Sequence, residues 1–389
     1  MKTATASQHP SARPLGHRRI ALHCHIALLL AACAMLDPCA IALSADWPMF
    51  RGSRDLSGVA SGDLPEKPQV LWKFSISEGF VGTAAIANRR VFAGGDDGTL
   101  YALRFDDGTL VWKQKVGETI RSSPTVSGGA VFLGDGDGVF HCVDAETGSA
   151  RWSFPTDLEI ISSANVLGDR VVFGSYDGFV YCLSTADGHL LWKVKTDGRI
   201  HGTAAIVDDL VIVAGCDERL HVLRLSDGEI VRRVIMGSVS GCSAAVSGSM
   251  AFVGTYGNHV LGIDWKQGEV VWRFEDPDRQ FPFLSSAAVL KDTMVIGGRD
   301  KRIRAFDVVT GKQKWQFASN GKVDSSPVIV GERVFVGSSD GTIYGLRLRD
   351  GELSWKFEAG SAFSSSPAIA DGRLVIGTED GMLYCFGAK

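Results

Sequence analysis

The chain has 389 residues, of which 45% are hydrophobic and 22% charged, a balance that predicts a packed globular core and excludes a wholly disordered chain. Its formal net charge of −4 argues against a nucleic-acid partner, whose phosphates require a basic surface. Forty-six glycines beside only twelve prolines point to many tight turns that need positive φ.

In chain order, residues 1–45 read as a targeting segment: Lys2, Arg13, Arg18 and Arg19 precede an apolar run from Ile26 to Leu36, too short to cross a bilayer. Two readings of its processing stand. Either cleavage follows the small-residue stretch Ala42-Leu43-Ser44-Ala45, or Leu30-Ala31-Ala32-Cys33 acts as a lipobox and Cys33 carries lipid, the chain's one expected attachment to a membrane. Removing the segment takes away four basic residues and one acid, so the formal charge moves from −4 to −7. Residues 46–68 follow as a leader, and residues 69–389 are repetitive.

The repeat is set by Trp72, Trp112, Trp152, Trp192, Trp272, Trp315 and Trp355, with Arg232 in the gap between the fourth and fifth. The steps are 40 residues throughout, except for one of 43. Each unit contains four short β runs separated by turn signals, which predicts a four-stranded antiparallel meander, and tandem sheets of this kind build a propeller. The unit after Trp355 supplies only three strands before the chain stops, and Val70–Phe74 is a surplus strand at the front. The fold class expected is therefore all-β, an eight-bladed propeller closed by an N-terminal outer strand that completes the last blade. The tryptophans are expected to pack between neighbouring blades.

Asp97, Asp137, Asp177, Asp217, Asp300, Asp340 and Asp380 recur at one hairpin and are mostly followed by glycine. They predict type I′ turns rather than metal ligands, and Asp135-Gly136-Asp137-Gly138 lacks the later glutamate of a calcium loop. Eleven residues beyond each tryptophan position, fourteen in the sixth unit, stand Thr83, Ser123, Ser163, Thr203, Ser243, Ser286, Ser326 and Ser366. Each is followed by alanine or proline, so this small segment is assigned to the crowded innermost strand. Cys142, Cys182 and Cys385 share one strand position and read as small buried hydrophobes, which leaves Cys216 with Cys242 as the one pair to test for a disulfide.

The outer half of the unit, as in Val143-Asp144-Ala145-Glu146-Thr147-Gly148-Ser149-Ala150-Arg151-Trp152 and in Phe306-Asp307-Val308-Val309-Thr310-Gly311 with Trp315, resembles the quinoprotein-type (PQQ-like) propeller repeat. Asp46-Trp47-Pro48-Met49-Phe50-Arg51-Gly52 is similar to the leader that precedes exported propellers of that group. In size and single-domain layout the chain is similar to the BamB family of envelope lipoproteins. That resemblance implies an exported, monomeric, non-catalytic scaffold that binds a protein partner in the cell envelope, in outer-membrane protein assembly. The fourth unit departs from the pattern, with Arg232 for tryptophan and Glu218 for the turn glycine.

The same repeat occurs in quinone-dependent alcohol dehydrogenases, which implies as an alternative a PQQ-dependent oxidoreductase. Those enzymes carry a vicinal cysteine pair and a calcium site that have no counterpart here, so no catalytic residue, metal or PQQ cofactor is expected. His141, His189, His201, His221 and His259 show no short ligand spacing, and no nucleophile elbow or phosphate loop is present. A third reading is a propeller that binds a small ligand or carbohydrate at aromatic loops.

Partner-binding candidates come from what breaks the repeat. The only insertion, residues 275–283, brings Phe281, which has no counterpart in other units, whereas Phe283 aligns with core positions. Two residues before the Ser/Thr positions, on the same strand face, lie Val81, Arg121, Ile161, His201, Gly241, Leu284, Asp324 and Ser364. Arg121, His201 and Asp324 are expected to give one mouth of the axial channel a binding character.

Overall fold

In the computed structural model, which describes residues 46–389, every regular element is a β-strand and the strands form eight sheets. The expected export signal, with Cys33, lies outside the described residues. The first sheet shows the plan: Ala85–Ala87 is innermost, followed outward by Arg90–Gly94, Thr99–Arg104 and Leu110–Lys115, all antiparallel. The two middle strands are buried on both faces and read Val-Phe-Ala and Leu-Tyr-Ala, whereas the outer strand alternates exposed and half-buried residues. This gradient is what a sheet sandwiched between two others requires.

The inner strands neighbour one another in sequence order, and Ala368–Ala370 returns to Ala85–Ala87, closing a ring of eight blades. The last blade takes its outer strand from the front of the chain: Gln69–Ser75 pairs with Met382–Gly387, Val70 opposite Phe386 and Phe74 opposite Leu383. Each of the eight outer strands carries a register shift, such as the one that leaves Val111 unpaired between Leu110 and Trp112. A bulge of this kind twists a free edge away from further pairing.

Tryptophan links six of the eight blades to the next. The indole Nε1 of Trp72, Trp112, Trp152, Trp192, Trp272 and Trp315 donates to a carbonyl 33 to 36 residues later, for instance Trp192 to Leu225 O at 2.9 Å. Each ring also lies on a turn glycine of the following blade; at Gly188 (φ 74°) an added Cβ would stand 2.4 Å from Trp152. Glycine is therefore required there twice, for its φ and for the space. Arg232 fills the vacant tryptophan place with its stem on Gly268 and its Nη1 donating to Gln267 O. Arg232→Trp is expected to raise stability by about 1–2 kcal/mol, as repeat-restoring substitutions do, and a higher denaturant midpoint at unchanged slope would register it.

The Asp-Gly hairpins differ from expectation in type. Gly98 N bonds Gly95 O and Gly95 N bonds Thr99 O, and only the final residue, Gly98, has positive φ. This is a type I turn followed by one left-handed residue, a three-residue loop rather than a two-residue type I′ loop. The aspartate precedes the left-handed position because its carboxylate accepts the amide two residues on, as Asp97 Oδ1 does from Thr99 N. Its second oxygen takes a strand side chain: Asp177 and Asp340 accept from Tyr181 and Tyr344, and Asp217 meets His221 Nε2 at 2.8 Å. Asp135 is spent in the same way, on Asp137 N, Val139 N and His141.

The leader is part of the propeller rather than a segment beside it. Trp47 and Ile86 exchange two backbone bonds of 2.8 Å, and the leader then supplies one carbonyl after another to the inner strands. Pro48 O accepts from Val126 N, Arg54 O from Ile206 N, Asp55 O from Val246 N, Ser57 O from Val289 N and Gly58 O from Ile329 N. The third blade joins through Asn165 Nδ2, which also donates to Arg54 O. Val59–Ala60 finally pairs in parallel with Val328–Val330, so the seventh blade has five strands rather than four. The physical reason is the inner edge of the ring, whose amides need acceptors that the neighbouring blades do not offer.

Candidate functional site: the axial cavity and its upper rim

The Asp-Gly turns lie beside the connections between blades, as Val116 N bonding Gly98 O shows; we call this face upper and the face crossed by the leader lower. Along the axis lies a cavity of about 380 Å³. All eight channel positions read from strand alternation, Val81, Arg121, Ile161, His201, Gly241, Leu284, Asp324 and Ser364, line it, together with Phe50 of the leader.

The Ser/Thr positions form the waist of this cavity, and their role is more specific than small size. They stand two residues before the inner strands instead of within them. Thr83 N donates to Ser123 Oγ at 3.0 Å, Ser123 N to Ser163 Oγ at 2.9 Å, and so on round the ring until Ser366 N donates to Thr83 Oγ1 at 3.3 Å. Each blade is thus pinned to the next by one buried bond, worth about 0.5–1.5 kcal/mol net and more to lose on one side only. Serine and threonine are the small residues that can make this belt.

Above the belt the three charged or titratable candidates sit apart, each with a neighbour of its own. Asp324 accepts a two-pronged bond from Arg299 at 2.9 and 3.0 Å, with Lys322 at 3.3 Å. Arg121 faces Asp96 at 3.6 Å, and burial raises the Asp96 carboxyl above its ordinary range. His201 Nδ1 lies 2.5 Å from Tyr176 Oη. Burial pushes the Tyr176 phenol up to about 12, so it donates, and the His201 ring, whose pKa burial lowers, accepts.

The contribution of His201 to stability therefore depends on pH. With a folded pKa below the unfolded value of about 6.5, the stability is complete above that pH and is lost as acidification protonates the unfolded chain first. His201→Gln is expected to flatten the fall in melting temperature between about pH 7.5 and 5.5, measured by circular dichroism.

Sequence reasoning singled out Phe281, and the structure leaves it exposed on the rim with Phe283 buried beneath. The insertion is held by Asp276, which accepts from the fully buried Arg304, and by Arg279, whose Nη1 reaches Asp300 O. Tyr256, on the turn of the fifth blade, adds a second exposed aromatic to this rim and was not anticipated. Phe281 lies outside the cavity lining that holds Arg121, His201 and Asp324. Cys216 and Cys242 are not paired: Cys216 Sγ points to Ser240 O, and the buried Cys242 Sγ contacts Gly254 O and Phe283 O at 3.1 Å. Cys242 stands where other blades have serine, as at Ser122 and Ser365, whose hydroxyls reach the equivalent strand-end carbonyl, so its sulfur has a local partner already.

Eight blades, each built on a four-stranded antiparallel meander, with a repeated tryptophan and turn-glycine lock define a PQQ-like-repeat β-propeller. The sequence matches the family described as outer membrane protein assembly factor BamB over residues 64–195, 157–234, 176–319 and 299–389, and the chain belongs to that family. No curated protein matches it. Among solved structures, BamB from Moraxella catarrhalis is similar at 19% identity and a TM-score of 0.71, over 83% of this chain and 98% of that one. A quinohemoprotein alcohol dehydrogenase from Pseudomonas putida is similar at 13% identity and 0.74, over 89% and 81%. A europium-containing methanol dehydrogenase is similar at 11% and 0.75, over 88% and 98%. At these identities the likenesses show the fold alone.

Proposed function

We propose that this protein is an exported, non-catalytic scaffold of the cell envelope that docks a protein partner on its upper rim. The observation that carries the reading is the insertion at residues 275–283, which presents Phe281 at 49% exposure on a loop fixed from below by buried Arg304. An exposed aromatic on a preordered loop loses little conformational freedom on binding, which is what an interface anchor needs. Membership of the BamB family supports the finer form: a partner in outer-membrane protein assembly, bound by a monomer that reaches the periplasm and is held at the membrane by lipid on Cys33 if that residue is modified.

The oxidoreductase alternative fits the lining less well. A tricarboxylate quinone would meet the carboxylates of Asp324 and Glu379, while Arg121 faces Asp96 and both Arg299 and Lys322 face Asp324. Among the described residues no group of three His, Cys, Asp or Glu is placed to hold a metal. We therefore assign no PQQ to this chain and no residue a catalytic role.

A photo-crosslinking residue at Phe281 in cells is expected to trap one exported protein, and the same residue at Val309, exposed on a turn between the third and fourth strands of its blade, is expected to trap none. Equal adducts from both positions, or none from Phe281, would remove the docking reading.

A further inference from the structure

The axial cavity has a chemistry that rim docking does not use. A hydroxyl is both donor and acceptor. In the belt each oxygen accepts one amide, and not one of the eight hydroxyls donates to a protein acceptor among the described residues. These side chains are only 3–6% exposed, and all of them line the cavity. A ninth hydroxyl, Ser364 Oγ in the same lining, is buried with no partner at all. Eight unspent donors arranged round one axis match a ligand with closely spaced oxygen acceptors.

Charge narrows the class. The cationic groups near the mouth are already matched, Arg121 with Asp96 and Arg299 with Asp324. Burial lowers the His201 pKa, Lys322 joins Arg299 on Asp324, and Glu379 adds a carboxylate to the lining, so Arg121, Arg299 and Lys322 are balanced by Asp96, Asp324 and Glu379 and an anion meets no net attraction. Shape narrows it further. At the lower end the leader, bonded along the inner strands, adds Phe50 to the lining, and Ile161 and Leu284 are further apolar lining residues beside the hydroxyls. A pyranose has the same division, an apolar C–H face and a polar edge of hydroxyls. The volume of about 380 Å³ lies in the range of small-molecule sites.

We propose that the axial cavity binds a neutral, hexose-sized sugar, with its C–H face toward Phe50 and its oxygens on the Ser/Thr belt. This site is independent of the rim: Phe281 takes no part in it.

Calorimetric titration of the mature protein with glucose, galactose, mannose and N-acetylglucosamine, and separately with inorganic phosphate, tests the assignment. At least one sugar is expected to bind with a dissociation constant of about 1 mM or tighter. Ile161→Trp fills the cavity without touching the belt and is expected to weaken binding at least about tenfold with its unfolding midpoint preserved; Phe281→Ala is expected to bind as the parent does. Phe50→Ala, which removes the aromatic floor, is expected to bind about tenfold more weakly, and its fold is checked by circular dichroism. No binding by any of the four sugars, undiminished binding in Ile161→Trp, or phosphate binding as tight as the best sugar would overturn the proposal.

Discussion

A chain that starts at Ile76 is expected to lose cooperative unfolding and to associate through its last blade. That truncation removes Gln69–Ser75, and with it every backbone bond on the outer side of Met382–Gly387. The exposed edge would carry Tyr384 and Phe386 beside unpaired amides, which is the arrangement that recruits a strand from another molecule. Trp72, 7% exposed and bonded through Nε1 to Phe105 O, goes too, so the eighth blade loses its lock on the first. Burial of one such ring is worth about 3–5 kcal/mol, and the ladder adds to it, against a total stability of about 5–15 kcal/mol for a typical domain.

A second truncation separates closure from the leader. A chain that starts at Pro68 keeps the closing strand and is expected to stay folded and monomeric. The inner-edge amides of Ile86, Val126, Ile206, Val246, Val289 and Ile329 lose their leader acceptors, and their hydrogen exchange is expected to speed up selectively. Sedimentation and exchange measurements on the two chains decide the matter: if the Ile76 chain is as monomeric and cooperative as the Pro68 chain, ring closure by the front strand does not hold the molecule together.

Ring closure was legible because it follows from counting. Seven tryptophans and one arginine at a fixed step give eight units, and three strands after Trp355 demand a fourth from elsewhere. The leader was not legible as a structural element, because its bonds to the blades run through backbone carbonyls, which any residue supplies. Its buried side chains include Trp47, Met49, Leu56 and Arg51, the last 1% exposed with Nη2 on Ala287 O, and burial lowers the Arg51 pKa to about 9. A basic residue in a leader reads as solvated unless its surroundings are known.

All eight expected channel positions line the cavity although they stand four residues before the inner strands, outside any strand, so the repeat, which sets each in the same connection of its blade, places them rather than alternation along a strand. What the repeat does not fix is how those side chains are spent. Serine and threonine at eight equivalent positions read as small, yet the belt uses their oxygens as acceptors, and only the register of neighbouring blades shows this. In the same way Asp217 with His221 and Asp340 with Tyr344 are one device with two donors, visible only after the turn has placed the carboxylate four residues before its partner.

In the sixth blade that donor is Arg304, and the second large effect is expected there. Its side chain has no exposure, lies 5.6 and 5.5 Å from the ring centres of Phe274 and Phe283, and donates to Asp300 and, at 2.6 Å, to Asp276. Arg304→Leu keeps the packing volume but leaves the buried Asp300 carboxylate with only Arg302, at 3.8 Å, a loss of about 3–5 kcal/mol. Arg304→Tyr restores the donor that Tyr344 supplies to Asp340 in the next blade and is expected to cost about 1 kcal/mol. Asp276 is released in both variants, so both are expected to loosen the insertion and weaken crosslinking at Phe281, whereas only the leucine variant loses stability. Denaturant midpoints and crosslinking yields on the pair separate the two roles: equal destabilisation would show that Arg304 acts through its guanidinium geometry and not through pairing Asp300, and an undiminished yield would show that the loop does not depend on its anchor.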